Sequence, residues 1–330
     1  MTQDTGKYRK NTSDQFYTSE SVAKSCVASI MDWLNDETLL SNKKNTDKKD
    51  DNIWIEPSAG TGVFLRQLSS SSSKIGLDID PKSSDIIKQD YLSWNPDSAI
   101  TTAKRVIVFG NPPFGRQSSL AKAFIAKSCS FADIIAFILP KSFTKPSMYN
   151  AFNRNFHIVM NKDLEKNAFI LNGAKYDVPC VFQIWEKRAT PRSKDEKVEP
   201  IGFHYVKIDE VVVAPAPSYD IALRRVGGLA GKCYPVETSA SASASASASA
   251  CGSIHRSVQS HYFIRFSDTV PPSQYSTIIE NINKHTFPSN TVGPRSLSKT
   301  EVSVILNKII HDSIAAAEAE AAEAAAASAS

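Results

Sequence analysis

Short apolar runs recur through the first 190 residues, separated by longer segments of mixed composition. Short apolar runs that stop at turn-forming or charged residues are typical of buried strands. The runs that predict strands cover residues 53–55, 74–77, 106–110, 134–139, 156–160 and 179–185, with a further strand ending near residue 90. Between them, residues 21–34 and 118–129 have the apolar spacing of amphipathic helices. Strands that alternate with helices predict a mainly parallel α/β sheet with helices on both faces.

The pattern changes after a charged, proline-containing stretch at residues 190–199. Beyond it, strands are predicted at 203–213, 219–226 and 261–266, and helices at 273–285 and 298–314. The strands and helices are segregated here rather than alternating, which indicates a smaller C-terminal α+β region.

Three segments lack a periodic apolar face. Residues 1–13 are polar and are predicted to be disordered, and so is the alternating Ser-Ala insertion at 238–250. The tail at 315–330 contains only Ala, Glu and Ser, which favours a helix by propensity but offers nothing large to pack.

Composition narrows the classes of function. The chain has 330 residues and a net charge of +4, a mild basicity that is compatible with nucleic acid but does not demand it. The five cysteines are scattered without a CxxC pair, so neither a disulfide framework nor a zinc site is predicted. We find no signal peptide and no apolar run long enough to span a bilayer. We therefore expect an intracellular protein of the cytoplasm or nucleus that uses no metal and does not act at a membrane.

A glycine-rich loop follows the first buried strand. Residues 56–62 read Glu-Pro-Ser-Ala-Gly-Thr-Gly, and the apolar residues of 63–68 predict a helix directly after them. Glycines let backbone approach a ligand, and a helix N-terminus favours negative groups. Asp78 ends the next strand, where a carboxylate commonly holds a ribose diol; the alternative for Asp78 or Asp80 is to cap a helix at 83–87. Asp90, at the third strand end, could bind an adenine amino group or cap a loop.

A stiff turn follows the strand at 106–110. Asn111-Pro112-Pro113-Phe114 cannot continue a sheet, because two prolines offer no backbone N–H. The Asn111 side-chain oxygen and the Pro112 carbonyl could accept both N–H bonds of an amino group attached to a planar ring, while the Phe114 ring could stack on that ring. A purely structural β-turn is the alternative for this segment.

In their order along the chain, these motifs resemble class I S-adenosylmethionine-dependent methyltransferases, specifically the N6-adenine group. Asp14 to Thr18 is similar to the N-terminal motif that closes over the cofactor, 56–62 to the cofactor loop, and 111–114 to the catalytic motif. Residues 177–185 resemble the segment that leads into a reversed seventh strand. The resemblance implies a Rossmann-like seven-stranded sheet whose last strand is antiparallel, within a methyltransferase domain at 14–190.

The resemblance also implies the site. Asn111, Pro112, Pro113 and Phe114 would be catalytic. The S-adenosylmethionine-binding set would be Phe16, Tyr17, Thr18, Glu56, Pro57, Ser58, Gly60, Gly62, Asp78, Asp90 and Asn111. A flipped adenine would stack on Phe114, and Phe169 or Tyr176 could close its other face. The motif order is similar to the gamma arrangement of DNA adenine methyltransferases, so residues 196–314 would form a target-recognition region, with Arg224 and Arg225 at the nucleic-acid backbone.

Three functions stay open at this point. The favoured one is an adenine-N6 methyltransferase of nucleic acid, with DNA ahead of RNA. A protein methyltransferase acting on a glutamine amide is the second, since that group is also a planar NH₂, although such enzymes usually carry Tyr at the position of Phe114. The third is a non-catalytic partner subunit that keeps the fold.

Overall fold

The computed structural model describes residues 16–40, 52–101, 105–193, 198–206, 219–236, 257, 259–291 and 294–328. The N-terminal segment at 1–13, Asp14, and the Ser-Ala insertion lie outside the described residues. The chain divides into two compact units, one within 1–195 and one within 196–330, with 290–292 grouping with the first. No helix among the described residues combines the length and apolar character needed to cross a bilayer.

The first unit contains ten strands and four α-helices among its described residues. The strands are β1 (Tyr17–Thr18), β2 (Asn52–Glu56), β3 (Ser73–Asp78), β4 (Ile87–Lys88), β5 (Arg105–Gly110), β6 (Ile134–Pro140), β7 (Phe156–Asp163), β8 (Phe169–Leu171), β9 (Ala174–Tyr176) and β10 (Cys180–Lys187). The helices are α1 (Glu20–Leu40), α2 (Ser98–Thr101), α3 (Ser119–Ser128) and α4 (Pro146–Tyr149).

Seven of these strands form one sheet in the order β4-β3-β2-β5-β6-β10-β7. The first five are parallel neighbours, whereas β10 runs antiparallel to both β6 and β7. The seven-stranded Rossmann-like sheet with a reversed last strand is therefore confirmed. Since β2 and β5 are parallel neighbours, the loops after these two strands leave the sheet at the same edge, where ligands bind in such folds.

Side chains alternate between the two faces of this sheet. Trp54 and Phe109 pack in the same apolar cluster as α1, while Ile55 and Val108 pack in a second cluster with α3. Both faces are thus covered by helices, which explains why these strands read as continuous apolar runs. The loops at the ends of the central strands are therefore supported by apolar packing on both faces of the sheet.

The predicted helix at 63–68 is wrong. The segment forms turns and a single 3₁₀ turn at Leu65–Gln67. Gly60 and Gly62 upstream adopt positive φ angles of 52° and 74°, and serines follow from Ser69, so few residues remain to nucleate an α-helix. The helix at 83–87 is also absent, because this segment turns directly into β4.

The remaining strands of the first unit form a small sheet in the order β1-β8-β9. β1 pairs antiparallel with β8, and β8 and β9 form a hairpin. This sheet ties the N-terminal residues to a segment about 150 positions further along the chain.

The second unit has a four-stranded antiparallel sheet in the order β11-β14-β12-β13. Among its described residues, the strands and α-helices are β11 (Phe203–Tyr205), β12 (Ile221–Arg224), β13 (Cys233–Pro235), β14 (His261–Phe266), α5 (Tyr275–Lys284) and α6 (Lys299–Ser328). Both helices contribute to one apolar cluster with the sheet, which confirms the smaller α+β region. β11 is shorter than predicted, and residues 207–218 lie outside the described part. α6 continues through residues predicted as a low-complexity tail, consistent with their high helix propensity.

Candidate active site

Loops at the carboxyl ends of β2, β3 and β5, together with β1, surround a cavity of about 450 Å³. A volume of this size is within the range of small-molecule sites. The predicted site residues that line it are Phe16, Tyr17, Thr18, Glu56, Pro57, Ser58, Gly60, Asp78, Asp90, Asn111, Pro112, Pro113 and Phe114. Gly62 does not line the cavity, but its backbone N–H donates to the Ala59 carbonyl at 2.6 Å and so shapes the loop.

The sequence interpretation missed several apolar members of the wall. They include Ile79, Tyr91, Leu92, Leu120 and Phe124. Ile79 is 66% exposed. In the sequence, the available signal was an apolar residue between two aspartates directly after a predicted strand. Tyr91 and Phe124 were not predictable in this way, because Tyr91 follows β4, Phe124 belongs to α3, and their rings meet only in the fold, with centroids 5.1 Å apart.

The turn after β5 depends on Gly110. Its φ angle is +124°, and a Cβ atom at this position would lie 3.1 Å from Cγ of Glu56. Only glycine adopts this conformation without strain. Gly110 therefore lets Asn111 leave the sheet directly beside the end of β2.

The Asn111 side chain is oriented by the N-terminal residues. Its Nδ2 donates to the Phe16 carbonyl at 3.1 Å, and the Asn111 carbonyl accepts from Oγ of Ser58 at 2.9 Å. A carbonyl can only accept, so Nδ2 must face Phe16 and Oδ1 must point the other way. Oδ1 is buried and has no hydrogen-bond partner. No described residue donates a hydrogen bond to the Pro112 carbonyl either. Two successive residues of the turn thus each carry an acceptor that no described group uses.

Asp78 organises the glycine-rich loop. Its Oδ2 accepts from the Gly60 N–H at 2.7 Å, and its Oδ1 accepts from the Asp80 N–H at 2.8 Å. Each oxygen keeps one lone pair for a ligand. Lys82 pairs with the Asp80 carboxylate and holds its pKa below the ordinary value. Because Asp80 is already neutralised by Lys82, the geometry favours Asp78 as the ligand-facing acid.

Asp90 serves as a loop cap. Its Oδ1 accepts from the Leu92 N–H at 3.0 Å. A loop cap was one of the two roles predicted for Asp90, and adenine binding was the other. The cap places the carboxylate at the rim of the cavity, next to the exposed Leu92. The two roles are compatible, because a carboxylate has two oxygens.

Glu56 is the most desolvated acid at the site. It is 1% exposed, and burial raises the pKa of its carboxyl group well above the ordinary value. The Leu65 N–H lowers this pKa, the nearby Asp78 charge raises it further, and Arg66 lowers it. Its Oε2 has no hydrogen-bond partner. Burial thus favours the protonated form of this carboxyl group in the ligand-free protein, whereas a positively charged partner would favour its ionised form.

Three cavity-lining residues carry a buried polar atom without a partner: Thr18 Oγ1, Glu56 Oε2 and Asn111 Oδ1. Burying such an atom unsatisfied costs about 1–3 kcal/mol. Their convergence on a single cavity indicates that a polar ligand completes the site.

The two residues predicted to close the other face of the substrate base, Phe169 and Tyr176, lie in different environments. Phe169 is fully buried in the core and cannot stack on a substrate, so that prediction is wrong. Tyr176 is half-buried and stacks on Phe16.

The two arginines predicted to contact nucleic acid both have partners in the second unit. Arg224 donates to the Val226 carbonyl at 3.1 Å, and Arg225 donates to the Gln259 carbonyl and lies over the Tyr262 ring. These contacts position both arginines within the second unit.

No protein-family model matches the chain, and the comparison with curated proteins gives no match either. Among solved structures, it is similar to 23S rRNA methyltransferase ErmE, with 12% identity and a TM-score of 0.34 over 54% of this chain and 72% of that one. A protein of Pyrococcus horikoshii described as a candidate RNA methyltransferase gives 16% identity and a TM-score of 0.33, over 41% and 74% of the two chains. Magnesium protoporphyrin IX methyltransferase of Synechocystis PCC 6803, solved with bound SAM, gives 11% and 0.31, over 51% and 80%. These likenesses are distant, so the strand order and the cavity of this chain are the basis for assigning a function.

Proposed function

We propose that this protein binds S-adenosylmethionine and transfers its methyl group to the exocyclic N6 of adenine in nucleic acid, with DNA favoured over RNA. The observation that carries the proposal is the buried, unpartnered Oδ1 of Asn111 beside the unused Pro112 carbonyl. Two acceptors at the carboxyl edge of a central strand suit a substrate with two N–H bonds on one nitrogen.

The cavity fits the cofactor. Asp78 would hold the ribose hydroxyls with its remaining lone pairs, and Asp90 would accept from the adenine amino group. Glu56 and Thr18, whose polar atoms lack partners, would receive the ammonium end. When bound, S-adenosylmethionine supplies an electrophilic methyl group on its sulfonium.

Asn111 and Pro112 provide the catalytic contribution of the chain. An amino group on an aromatic ring is a weak nucleophile, because its lone pair is delocalised into the ring. Hydrogen bonds from its two N–H groups to Asn111 Oδ1 and the Pro112 carbonyl favour a pyramidal nitrogen and stabilise the positive charge that develops on it. Phe114, half-buried beside the turn, offers a face for the base.

Residues 196–314 are proposed to contact the nucleic acid, with Arg224 and Arg225 at its backbone. A target base must leave its stack to reach the cavity, at a cost of a few kcal/mol that is lower for an unpaired base.

Labelled S-adenosylmethionine tests the proposal, with unmethylated duplex DNA, total RNA and a protein extract offered in parallel. The Asn111→Ala variant serves as the matched control, and products are digested to nucleosides and amino acids. We expect label in N6-methyldeoxyadenosine with the wild type only. Label in N6-methyladenosine would identify RNA rather than DNA as the substrate. Label in N5-methylglutamine would identify protein as the substrate. Failure to bind S-adenosylmethionine by calorimetry would refute the proposal and favour a non-catalytic subunit.

A further inference from the structure

We propose that Tyr176 is a positioning residue that sets the orientation of the Asn111 amide through the ring and carbonyl of Phe16. The catalytic consequence of this inference rests on the proposed role of Asn111 as acceptor of the substrate amino group. Tyr176 itself contacts Phe16, not the Asn111 amide.

The first step is the contact between Asn111 and Phe16. Nδ2 of Asn111 donates to the Phe16 carbonyl at 3.1 Å. Rotating the amide by half a turn would bring Oδ1 against this carbonyl, so two acceptors would face each other and repel. The position of the Phe16 carbonyl therefore decides whether Oδ1 is presented to a substrate.

The second step is what holds Phe16. Its ring stacks on Tyr176 with centroids 5.3 Å apart and planes 7° from parallel, and it meets the Phe169 ring at 6.2 Å. After Phe16, the backbone is paired with the same segment, since Thr18 lies opposite Phe169 and the Ser19 N–H donates to the Ala168 carbonyl at 2.9 Å. The hairpin of β8 and β9 thus supplies both the ring contacts and the backbone pairing.

The third step is the rigidity of that hairpin. Its two-residue turn, Asn172-Gly173, has φ angles of 49° and 78°, as in the type I′ turns that match the twist of paired strands. Phe169 and Tyr176 are directly opposite each other across the two strands, and Phe169 is fully buried. Tyr176 is therefore presented from a fixed platform, which lets its ring restrain Phe16.

A loosened Phe16 would lower the rate without removing the cofactor site. Productive transfer requires the amino nitrogen to be aligned with the methyl group, and a displaced acceptor reduces the aligned fraction. Phe16 also lines the cofactor cavity, so cofactor affinity should weaken somewhat, but Asp78 and Asp90 lie on other loops and keep their contacts. The expected signature is a fall in kcat that is larger than the rise in the dissociation constant for S-adenosylmethionine.

The test compares Tyr176→Ala with Tyr176→Phe, which keeps the ring, and with Lys175→Ala, which alters an exposed neighbour on β9. An aromatic pair of this kind can account for about a tenfold change in rate. We expect kcat to fall about tenfold in Tyr176→Ala, and to stay within about twofold of the wild type in the other two variants. Should Tyr176→Ala fail to fold, Tyr176→Leu keeps apolar volume without a stacking plane and carries the same expectation.

A second readout needs neither cofactor nor substrate. With ¹⁵N-labelled asparagine, the side-chain amide signal of Asn111 is identified by its loss in Asn111→Ala. We expect this signal to shift in Tyr176→Ala and to keep its wild-type position in Tyr176→Phe and Lys175→Ala. An unmoved signal in Tyr176→Ala would overturn the inference, as would an equal fall in kcat in Tyr176→Phe, which would assign the effect to the hydroxyl group.

A double-mutant cycle separates positioning from general destabilisation. Asn111→Asp removes the N–H group that donates to the Phe16 carbonyl. In this background, adding Tyr176→Ala should lower kcat by less than about twofold. A further tenfold loss in this background would mean that Tyr176 acts by another route. If the wild type methylates no acceptor, the proposed function fails, whereas the amide signal still decides whether Tyr176 positions Asn111.

Discussion

The buried carboxyl group of Glu56 makes the stability of the ligand-free protein depend on pH. Burial raises the pKa of this group in the folded state, while in the unfolded chain it returns to its ordinary value near 4.5. The folded protein therefore keeps the proton at pH values where the unfolded chain has released it. The contribution of Glu56 to stability is then fully present below pH 4.5 and is lost as the pH rises toward the raised pKa, by at most about 1.4 kcal/mol per pH unit.

Glu56→Gln removes this titration while keeping the shape of the side chain. At pH 4.5 the variant and the wild type should be about equally stable, and at pH 7.5 the variant should be the more stable of the two. Each pH unit by which the folded-state pKa is raised is worth about 1.4 kcal/mol, or roughly 3–6 °C in Tm for a unit of this size. The gain should be accompanied by weaker binding of S-adenosylmethionine, because a neutral amide cannot pair with an ammonium group.

Thermal unfolding without ligand, recorded from pH 4.5 to 8, measures this effect. Glu165→Gln makes the same substitution at an exposed position and is the matched control. Its Tm difference from the wild type should not vary systematically with pH. Parallel profiles for the wild type and Glu56→Gln would show that Glu56 is ionised in the folded protein, which would refute the reasoning from burial.

Three further substitutions test the site. Asn111→Ala removes one of the two acceptors and should lower kcat by about 10²–10³, with the dissociation constant for S-adenosylmethionine within about threefold of the wild type; a variant that keeps most of its rate would exclude this role. Asp78→Ala should weaken cofactor binding by at least about tenfold in calorimetry, since a charged acceptor is worth about 1.5–3 kcal/mol, and an unchanged constant would move the ribose contact elsewhere. Gly110→Ala should destabilise by about 1–3 kcal/mol in urea unfolding, because its Cβ would meet Glu56 in a left-handed conformation, whereas Gly228→Ala, with open space around it, should change stability by less than about 1 kcal/mol.

The central sheet was predictable because its strands are buried on both faces. Such strands read as continuous apolar runs, and the observed β5 and β6 differ from the predicted 106–110 and 134–139 by one residue at one end. The reversal of β10 came from the family resemblance, since no feature of a single apolar run shows its direction. Periodicity finds strands but does not order them.

The small sheet was missed for a physical reason. β1, β8 and β9 have only two or three residues each, too few to show alternation. The dipeptide Asn172-Gly173 between short apolar segments was the available signal for a hairpin. Without that hairpin, the sequence could place Phe16 near the cofactor but could not show what fixes it beside Asn111.

The unsatisfied polar atoms were beyond sequence reasoning, because they depend on distances between segments far apart in the chain. Thr18 and Asn111 belong to different parts of the fold, and whether their oxygens find partners is decided only when those parts meet. The motifs predicted which residues gather at the cavity. They did not predict that three of these residues would each leave an atom unpaired.

Those atoms link the stability of the ligand-free protein to its function. Thr18 Oγ1, Glu56 Oε2 and Asn111 Oδ1 cost about 1–3 kcal/mol each, which together is a substantial part of the roughly 5–15 kcal/mol that keeps a domain folded. The fold withstands this cost because the strands beneath the cavity are packed on both faces. A ligand present at a concentration of a hundred times its dissociation constant stabilises the folded state by about 2.7 kcal/mol. This value is close to the cost of one or two such atoms. The site is therefore the least satisfied part of a well-packed unit, and this is the condition under which a bound ligand can be held by preformed contacts rather than by rearrangement of the core.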